Sequence, residues 1–149
     1  MEISNKEKPY VLDGGLGEDE RGRVRFVNHF NFKGVKRFYM IENHPERPIR
    51  GLHGHMQEAK YVLVPHGSAL LVVIPIDHHE TPSVDVEVYK FHLHADEPKV
   101  VYIPPGYANG MKMHSPDTKI IFFSTKTLEE AKDDYFHFPH DYWGAQVWE

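Results

Sequence analysis

The stretch Arg50-Gly51-Leu52-His53-Gly54-His55, followed by Lys60 and Gly67, is the most informative part of the sequence. Two histidines separated by one residue on a β-strand point their side chains to the same face. If that face lines a pocket, it carries two groups that titrate near neutrality, close to an arginine and a lysine. Such a set can bind a metal ion, or it can remove a proton from a carbon next to a carbonyl. The surrounding sequence has to decide between the two.

Around this stretch, the sequence alternates between short strand-like segments and turns. Strands are predicted at residues 23–28, 35–42, 59–64, 68–74, 84–89, 99–103 and 118–124. Pro65-His66-Gly67 predicts a hairpin turn, Pro104-Pro105-Gly106 predicts a second turn, and 127–135 is the one segment with a helical pattern. Strands at such short intervals predict an all-β jelly-roll barrel with a short C-terminal helix, formed by a single domain over residues 1–149.

Composition excludes several classes of function. The net charge of -5 argues against a general nucleic-acid surface, and the absence of cysteine excludes disulfides and thiolate zinc sites. The first residues, Met1 to Lys8, contain no apolar core of a signal peptide, and no segment is long and apolar enough to span a membrane. We therefore expect a cytoplasmic protein that binds neither nucleic acid nor membrane.

Two motifs resemble those of the cupin family of small β-barrels. The first cupin motif has the form H-x-H-x(3,4)-E-x6-G, and His53, His55 and Gly67 fit it with Lys60 in the place of the glutamate. The second has the form P-x-G-x2-H-x3-N, and residues 104–109 fit its frame with Asn109 in the place of the histidine. The chain thus resembles a cupin barrel with two altered positions.

These two alterations argue against a bound metal. The cupin metal site uses three histidines and one glutamate, so it needs neutral imidazoles and a carboxylate. An ammonium group at Lys60 would repel a dication, and the amide of Asn109 is a poor replacement for an imidazole. Glu58 lies close enough in sequence to keep a rearranged metal site open as an alternative. We expect neither a metal nor another cofactor.

A barrel lined by histidine, lysine and arginine suits a different reaction. Removing a proton next to a ketone needs a base whose pKa is near the working pH and an electropositive group at the enolate oxygen. A histidine can supply the base, and Lys60 can supply the positive charge. Arginines outside that centre can hold a diphosphate through paired N–H donors, and Arg21, Arg37 and Arg50 are the candidates.

The sequence resembles the nucleotide-sugar cupins, which include dTDP-4-keto-6-deoxyglucose 3,4-ketoisomerases and the related 3,5-epimerases. The segment from Val35 to His55 is most similar to the ketoisomerases, whereas Lys60 and residues 103–110 are more similar to the epimerases. By resemblance to the epimerases, His53 would be the base and Lys60 would assist the enolate. By resemblance to the ketoisomerases, His55 is the stronger candidate for proton transfer.

One departure from the epimerase pattern affects the expected reaction. In the epimerases, a tyrosine on the strand after the Pro-Pro-Gly turn delivers a proton from the opposite face of the sugar. Here Phe122 or Phe123 occupies the matching place, and neither can give a proton. The sequence leaves four tyrosines as possible replacements on other strands, namely Tyr39, Tyr61, Tyr102 and Tyr107.

These considerations predict an isomerase that moves the ketone of a dTDP-4-keto-6-deoxyhexose from C4 to C3 by histidine-mediated proton transfer. The expected catalytic residues are His53, His55 and Lys60, and the expected substrate-binding residues are Arg21, Arg37, Tyr39, Arg50, Tyr102 and Asn109. The first alternative is a nucleotide-sugar 3- or 5-epimerase. A non-catalytic sugar-nucleotide-binding barrel and a metal-dependent cupin enzyme are the others. By resemblance to the family, we also expect a homodimer.

Overall fold

The structure, a computed structural model, describes residues 7–149. Most of the segment from Met1 to Lys8, considered above for a signal peptide, lies outside these residues. The strands are β1 (Tyr10–Asp13), β2 (Gly15–Asp19), β3 (Gly22–Phe26), β4 (Arg37–Ile41), β5 (Ile49–His55), β6 (Lys60–His66), β7 (Ser68–Pro75), β8 (Tyr89–His94), β9 (Lys99–Ile103), β10 (Tyr107–Met113), β11 (Lys119–Ser124) and β12 (Phe136–His137). A short helix, α1 (Leu128–Ala131), precedes β12, and a 3-10 turn covers Ala145–Trp148.

The strands form two five-stranded antiparallel sheets and a separate hairpin. The first sheet has the order β1-β9-β6-β11-β4, and the second has the order β12-β5-β10-β7-β8. Strands that are distant in sequence therefore lie side by side, as in a jelly roll. The predicted all-β cupin fold is confirmed. The hairpin β2–β3 pairs with itself and lies apart from both sheets.

Two hydrophobic clusters fix the sheets and the C-terminal segment. Side chains such as Val62, Val101 and Phe122 from the first sheet pack against residues of β7 and β10 inside the barrel. A second cluster joins the outer side of the second sheet to the C-terminal segment through residues including Phe138 and Trp148. The segment after α1 is thus held against β5, beside the histidine pair.

The predicted hairpin at residues 65–67 is wrong. The turn is present, and Gly67 adopts a φ of 82°, which favours glycine. However, β6 pairs with β9 and β11, while β7 pairs with β8 and β10. The turn therefore carries the chain from one sheet to the other. Local sequence shows a turn, but it does not show which strands will pair across it.

Two further element predictions need correction. Residues 84–88 do not form the predicted strand, and strand β8 begins only at Tyr89. Val86 and Val88 instead pack against the second cluster from an irregular segment. The helix is shorter than residues 127–135, since it ends at Ala131 and the chain then turns back towards β5. Its start is well defined, because Thr127 and Glu130 form a capping box. No helix among residues 7–149 is long and apolar enough to cross a membrane.

Candidate active site

The histidine pair lines a pocket between the two sheets, with a volume of about 480 Å³. This volume is suited to a small-molecule ligand. One wall comes from β4, β6 and β11 and presents Arg37, Tyr39, Lys60 and Phe122. The facing wall comes from β5 and β10 and presents Arg50, His53, His55 and Asn109. Residues of α1 and the loop after it, including Leu128 and Tyr135, form part of the rim.

The pocket brings together most of the residues singled out in the sequence. Those lining it are Arg37, Tyr39, Arg50, His53, His55, Lys60 and Asn109. Arg21 lies outside the pocket, on the exposed hairpin β2–β3, where it pairs with Asp19 at 2.6 Å. Tyr102 also lies outside it, where its ring packs against those of Tyr10 and Tyr61 in tilted arrangements.

A bulge explains why Arg50 shares a face with the histidines. Residues three apart on a regular strand point to opposite faces. The register between β5 and β10 shifts, so that His53 faces Asn109 whereas Arg50 faces Met111. The extra residue of the bulge restores Arg50 to the pocket side. Position 51 requires glycine, because β5 and β10 lie so close at the bulge that a Cβ built on Gly51 would be 2.7 Å from Cα of Gly110.

His55 is buried and has acidic surroundings behind it. Its Nδ1 lies 2.5 Å from the backbone carbonyl oxygen of Asp134 and 3.2 Å from Oε1 of Glu58. Both partners are acceptors, so hydrogen-bond geometry assigns the proton to Nδ1 and leaves Nε2 with a free lone pair. Burial and the nearby Lys60 lower the pKa of His55, while Glu58 opposes them. The ring is therefore neutral near pH 7, with a basic nitrogen available to the pocket.

Glu58 is the centre of a buried network. Its side chain is 0% exposed. One oxygen, Oε2, accepts hydrogen bonds from the guanidinium of Arg37 at 3.3 Å and from the hydroxyl of Ser124. The other, Oε1, has no hydrogen-bond donor among residues 7–149 and faces His55. A buried carboxylate with this arrangement can stabilise positive charge on His55.

His53 has a different partner. Its Nδ1 lies 2.6 Å from the hydroxyl of Tyr135, and the two rings are in contact. Burial and the nearby His137, Lys60, Arg50 and His55 lower the pKa of His53 to about 4. This imidazole therefore remains uncharged at neutral pH.

Lys60 carries the positive charge of the facing wall. Its Nζ lies 5.8 Å from the ring centre of Tyr39 and 5.4 Å from that of Phe122, which are cation–π distances. Burial lowers the pKa of Lys60 to about 8, although Glu58 opposes the shift. Most of the lysine is therefore still protonated at pH 7, in a largely dehydrated position where its charge acts strongly.

Of the four tyrosines named as possible acids, one lines the pocket and three lie outside it. Tyr39 lines the pocket and stacks on Phe122 with an interplanar angle of 3°. Tyr61 and Tyr102 pack against each other on the outer side of the first sheet, and the hydroxyl of Tyr107 donates to the backbone of Glu7. Of the two phenylalanines, Phe122 lines the pocket, whereas Phe123 packs against Phe30 outside it.

Sequence reasoning missed Asp134 and Tyr135, and it considered Glu58 only as a metal ligand. The carboxylate of Asp134 accepts hydrogen bonds from the backbone N–H groups of residues 56, 57 and 58. Both missed residues follow α1, far from the histidines in sequence, and no local motif signals their return to β5. Among residues 7–149, no three His, Asp or Glu side chains converge as a metal site would require.

Comparison with known proteins identifies the relatives of this chain. The family model described as dTDP-4-dehydrorhamnose 3,5-epimerase matches residues 12–143. No curated protein matches the sequence significantly.

Solved structures include both epimerases and ketoisomerases. The dTDP-6-deoxy-D-glucose-3,5-epimerase of Legionella pneumophila, in complex with dTDP-4-keto-L-rhamnose, is 18% identical with a TM-score of 0.76, covering 97% of this chain and 80% of its own. A 3,4-ketoisomerase of Helicobacter canadensis is 18% identical with a TM-score of 0.67, covering 95% of this chain and 98% of its own. The sugar 3,4-ketoisomerase QdtA of Thermoanaerobacterium thermosaccharolyticum, in complex with TDP, is 17% identical with a TM-score of 0.65, covering 93% of each chain.

Proposed function

The chain belongs to the dTDP-4-dehydrorhamnose 3,5-epimerase family, and within this family we propose that it acts as a 3,4-ketoisomerase of a dTDP-linked 4-keto-6-deoxyhexose. Ketone migration between adjacent carbons needs one base that can reach both of them from one face of the sugar. The main support for this proposal is the environment of His55, whose Nδ1 faces Glu58 and Asp134 and whose Nε2 is left available to the pocket.

The reaction divides into three proton movements. Nε2 of His55 removes the proton from C3, and the electron pair forms the C3–C4 double bond while negative charge moves to the C4 oxygen. The proton of the C3 hydroxyl passes to the C4 oxygen, and the charge moves to the C3 oxygen. His55 then returns its proton to C4, which leaves the ketone at C3. No oxidant or reductant is consumed.

The residues around His55 have complementary roles in this scheme. Glu58 stabilises the imidazolium that forms when His55 holds the carbon proton, since the two side chains lie 3.2 Å apart. Lys60 stabilises the negative charge on the enediolate from the facing wall. Both effects lower the energy of charges that exist only during the reaction.

Arg50 is the better candidate of the two pocket arginines for the diphosphate. Its side chain is exposed at the pocket and donates a hydrogen bond to Oδ1 of Asn43 at 3.3 Å. The guanidinium of Arg37, by contrast, is engaged by Glu58 and by the backbone oxygen of Lys126. We therefore assign the anionic end of the substrate to Arg50 and a structural role to Arg37, with Asn109 contacting the sugar.

An epimerase is the second candidate, and Tyr39 favours it. Inversion at a carbon needs an acid on the side opposite the base, and Tyr39 stands on the wall that faces the histidines. Burial raises the pKa of its phenol, so the group holds its proton at neutral pH. Phe122, stacked on that ring, offers no proton. The two candidates thus differ in whether Tyr39 reaches the reacting carbon.

The deciding experiment is incubation with dTDP-4-keto-6-deoxyglucose in D₂O, followed by NMR of the product. A ketoisomerase yields the 3-keto sugar, with deuterium at C4 where the proton held on Nε2 of His55 has exchanged with solvent, whereas an epimerase yields an inverted 4-keto sugar with deuterium at C3 or C5. His55→Asn should remove both the label and the product. Retention of exchange in that variant would exclude His55 as the base.

We also propose that the protein works as a homodimer. Phe30, Phe32, Phe38 and Phe123 form an outer aromatic face on the first sheet, and Phe32 and Phe38 are each 64% exposed. A second copy covering this face would bury apolar surface that water otherwise contacts. Light scattering coupled to size exclusion tests the proposal, and a monomeric mass at micromolar concentration would refute it.

A further inference from the structure

The two histidines have hydrogen-bond partners of opposite kind, and the partner of His53 is not part of any motif in the sequence. Nδ1 of His55 faces two acceptors, whereas Nδ1 of His53 faces the hydroxyl of Tyr135. We infer that Tyr135 is a positioning residue that fixes His53 as a neutral N–H donor to the substrate oxygens, so that the two histidines have different tasks. This inference rests on the proposed ketoisomerase function.

The chemistry of the two groups indicates which one donates. The oxygen of Tyr135 and Nδ1 of His53 are 2.6 Å apart, which is a hydrogen-bond distance. A phenol is a stronger donor than a neutral imidazole, because its proton is more acidic. Tyr135 therefore donates, and Nδ1 of His53 accepts.

This assignment fixes the other nitrogen. A neutral imidazole carries one proton, so Nε2 of His53 must hold it when Nδ1 accepts. The nitrogen available to the substrate is then a donor rather than a base. In His55 the same reasoning gives the opposite tautomer, with a basic Nε2. Two side chains on one strand face are thus held as one donor and one acceptor.

Burial and the neighbouring basic groups keep His53 in this state. His137 lies with its ring centre 5.2 Å away, and Lys60, Arg50 and His55 are also close enough to disfavour an imidazolium. Tyr135 adds no negative charge, since burial raises the pKa of its phenol. A neutral imidazole can polarise a carbonyl and stabilise an enediolate without giving up its proton.

A donor at this point helps each stage of the proposed reaction. The negative charge first lies on the C4 oxygen and later on the C3 oxygen, two neighbouring atoms. His53 can hydrogen-bond to either through Nε2, while Lys60 acts from the facing wall. His55 remains the group that carries the carbon proton.

Side-chain ¹⁵N NMR of the histidines tests the tautomers directly. The wild-type protein should show His53 as the Nε2–H form and His55 as the Nδ1–H form, with the signals assigned by their loss in His53→Gln and His55→Gln. Tyr135→Phe should shift the His53 nitrogen signals and leave those of His55 unchanged. An Nδ1–H form of His53 in the wild type would overturn the inference, and this measurement does not depend on activity.

Kinetics separate a donor from a base. Glutamine can place an N–H donor near the position of Nε2 but cannot accept the carbon proton at neutral pH. His53→Gln should therefore be at least about tenfold more active than His53→Ala, whereas His55→Gln and His55→Ala should be equally inactive.

Tyr135→Phe should lower kcat by about 10- to 100-fold, in line with the loss of one oriented donor. Tyr142→Phe is the matched control, because its hydroxyl donates to the backbone of Pro82, away from the pocket, and its kcat should match the wild type. Equal loss in His53→Gln and His53→Ala would overturn the donor role. A wild-type protein with no ketone migration would refute the proposed function instead, with the tautomer result still standing.

Discussion

Nδ1 of His55 lies 3.2 Å from Oε1 of Glu58, an oxygen that has no hydrogen-bond donor among residues 7–149. Leaving a carboxylate oxygen unsatisfied in a buried site costs free energy, and such groups are uncommon unless they have a function. In the proposed mechanism this cost is offset when His55 takes a proton, because the imidazolium then forms an ion pair with Glu58. Glu58 thus lies behind His55, and Lys60 lies on the facing wall.

Glu58→Gln should reduce kcat by about 100-fold, because the neutral amide no longer stabilises protonated His55. The amide oxygen can still accept from Arg37 and Ser124, so the variant keeps most of the buried network. Steady-state kinetics checks the change, and Glu87→Gln, an exposed site, provides the control. Wild-type kcat in Glu58→Gln would contradict the role of the carboxylate.

Lys60→Met should make the protein more stable and nearly inactive. A buried ammonium without a well-formed ion pair is destabilising. Replacing it with an apolar side chain of similar length should raise the free energy of unfolding by about 1 to 3 kcal/mol. Activity should fall because the enediolate loses its counter-charge. Thermal unfolding and kinetics on the same preparation check both effects, and a lower Tm would contradict the first.

The same lysine makes wild-type stability depend on pH. Its pKa is about 8 in the folded protein against 10.5 for an ordinary lysine, so between these values the unfolded chain binds more protons. Stability from this group therefore rises as pH increases from about 8 to 10.5 and is lowest below that interval. Chemical denaturation at several pH values should show this increment in the wild type and its absence in Lys60→Met.

The same lysine should give catalysis the opposite pH dependence, so that activity falls over the range in which stability rises. In the proposed mechanism the protonated lysine stabilises the enediolate, so kcat/KM should fall as pH rises through about 8. On the acid side, kcat/KM should fall only below pH 6.5, the ordinary pKa of histidine. Burial lowers the pKa of His55 from that value and keeps the imidazole in its base form. A pH profile of kcat/KM measures both limbs. A profile that keeps rising above pH 9 would exclude a catalytic charge on Lys60.

Much of the pocket could be predicted from local sequence, since alternation and the two altered cupin motifs identify strands and the faces of His53, His55 and Lys60. What could not be predicted depends on contacts between distant segments. Tyr135 reaches His53 because the C-terminal segment packs on the second sheet through apolar residues. The bulge opposite Gly110 likewise decides the direction of Arg50, and strand periodicity alone gives the opposite face.

Asp134 links that segment to the histidine loop. Its carboxylate accepts three backbone hydrogen bonds from residues 56–58, and its own carbonyl accepts from His55. Asp134→Ala should destabilise the fold by about 1 to 3 kcal/mol and lower kcat, because the loop that carries Glu58 loses its anchor. Asp133→Ala, at the exposed neighbouring position, is the control. Equal unfolding midpoints for the two variants would contradict the anchoring role.

Phe122→Tyr tests why the pocket should favour ketone migration over inversion. Phe122 is 1% exposed and stands on the wall opposite the histidines, with Lys60 5.4 Å from its ring centre. A hydroxyl there would add an acid on the face opposite the histidines, and the lysine offers a partner for it. The variant should keep ketone migration within about tenfold and should also give a product inverted at C3 or C5. NMR of the product in D₂O distinguishes the two by the position of the label. If the wild type already inverts the sugar and Tyr39→Phe stops it, then Tyr39 supplies the opposite proton and the epimerase is the correct function.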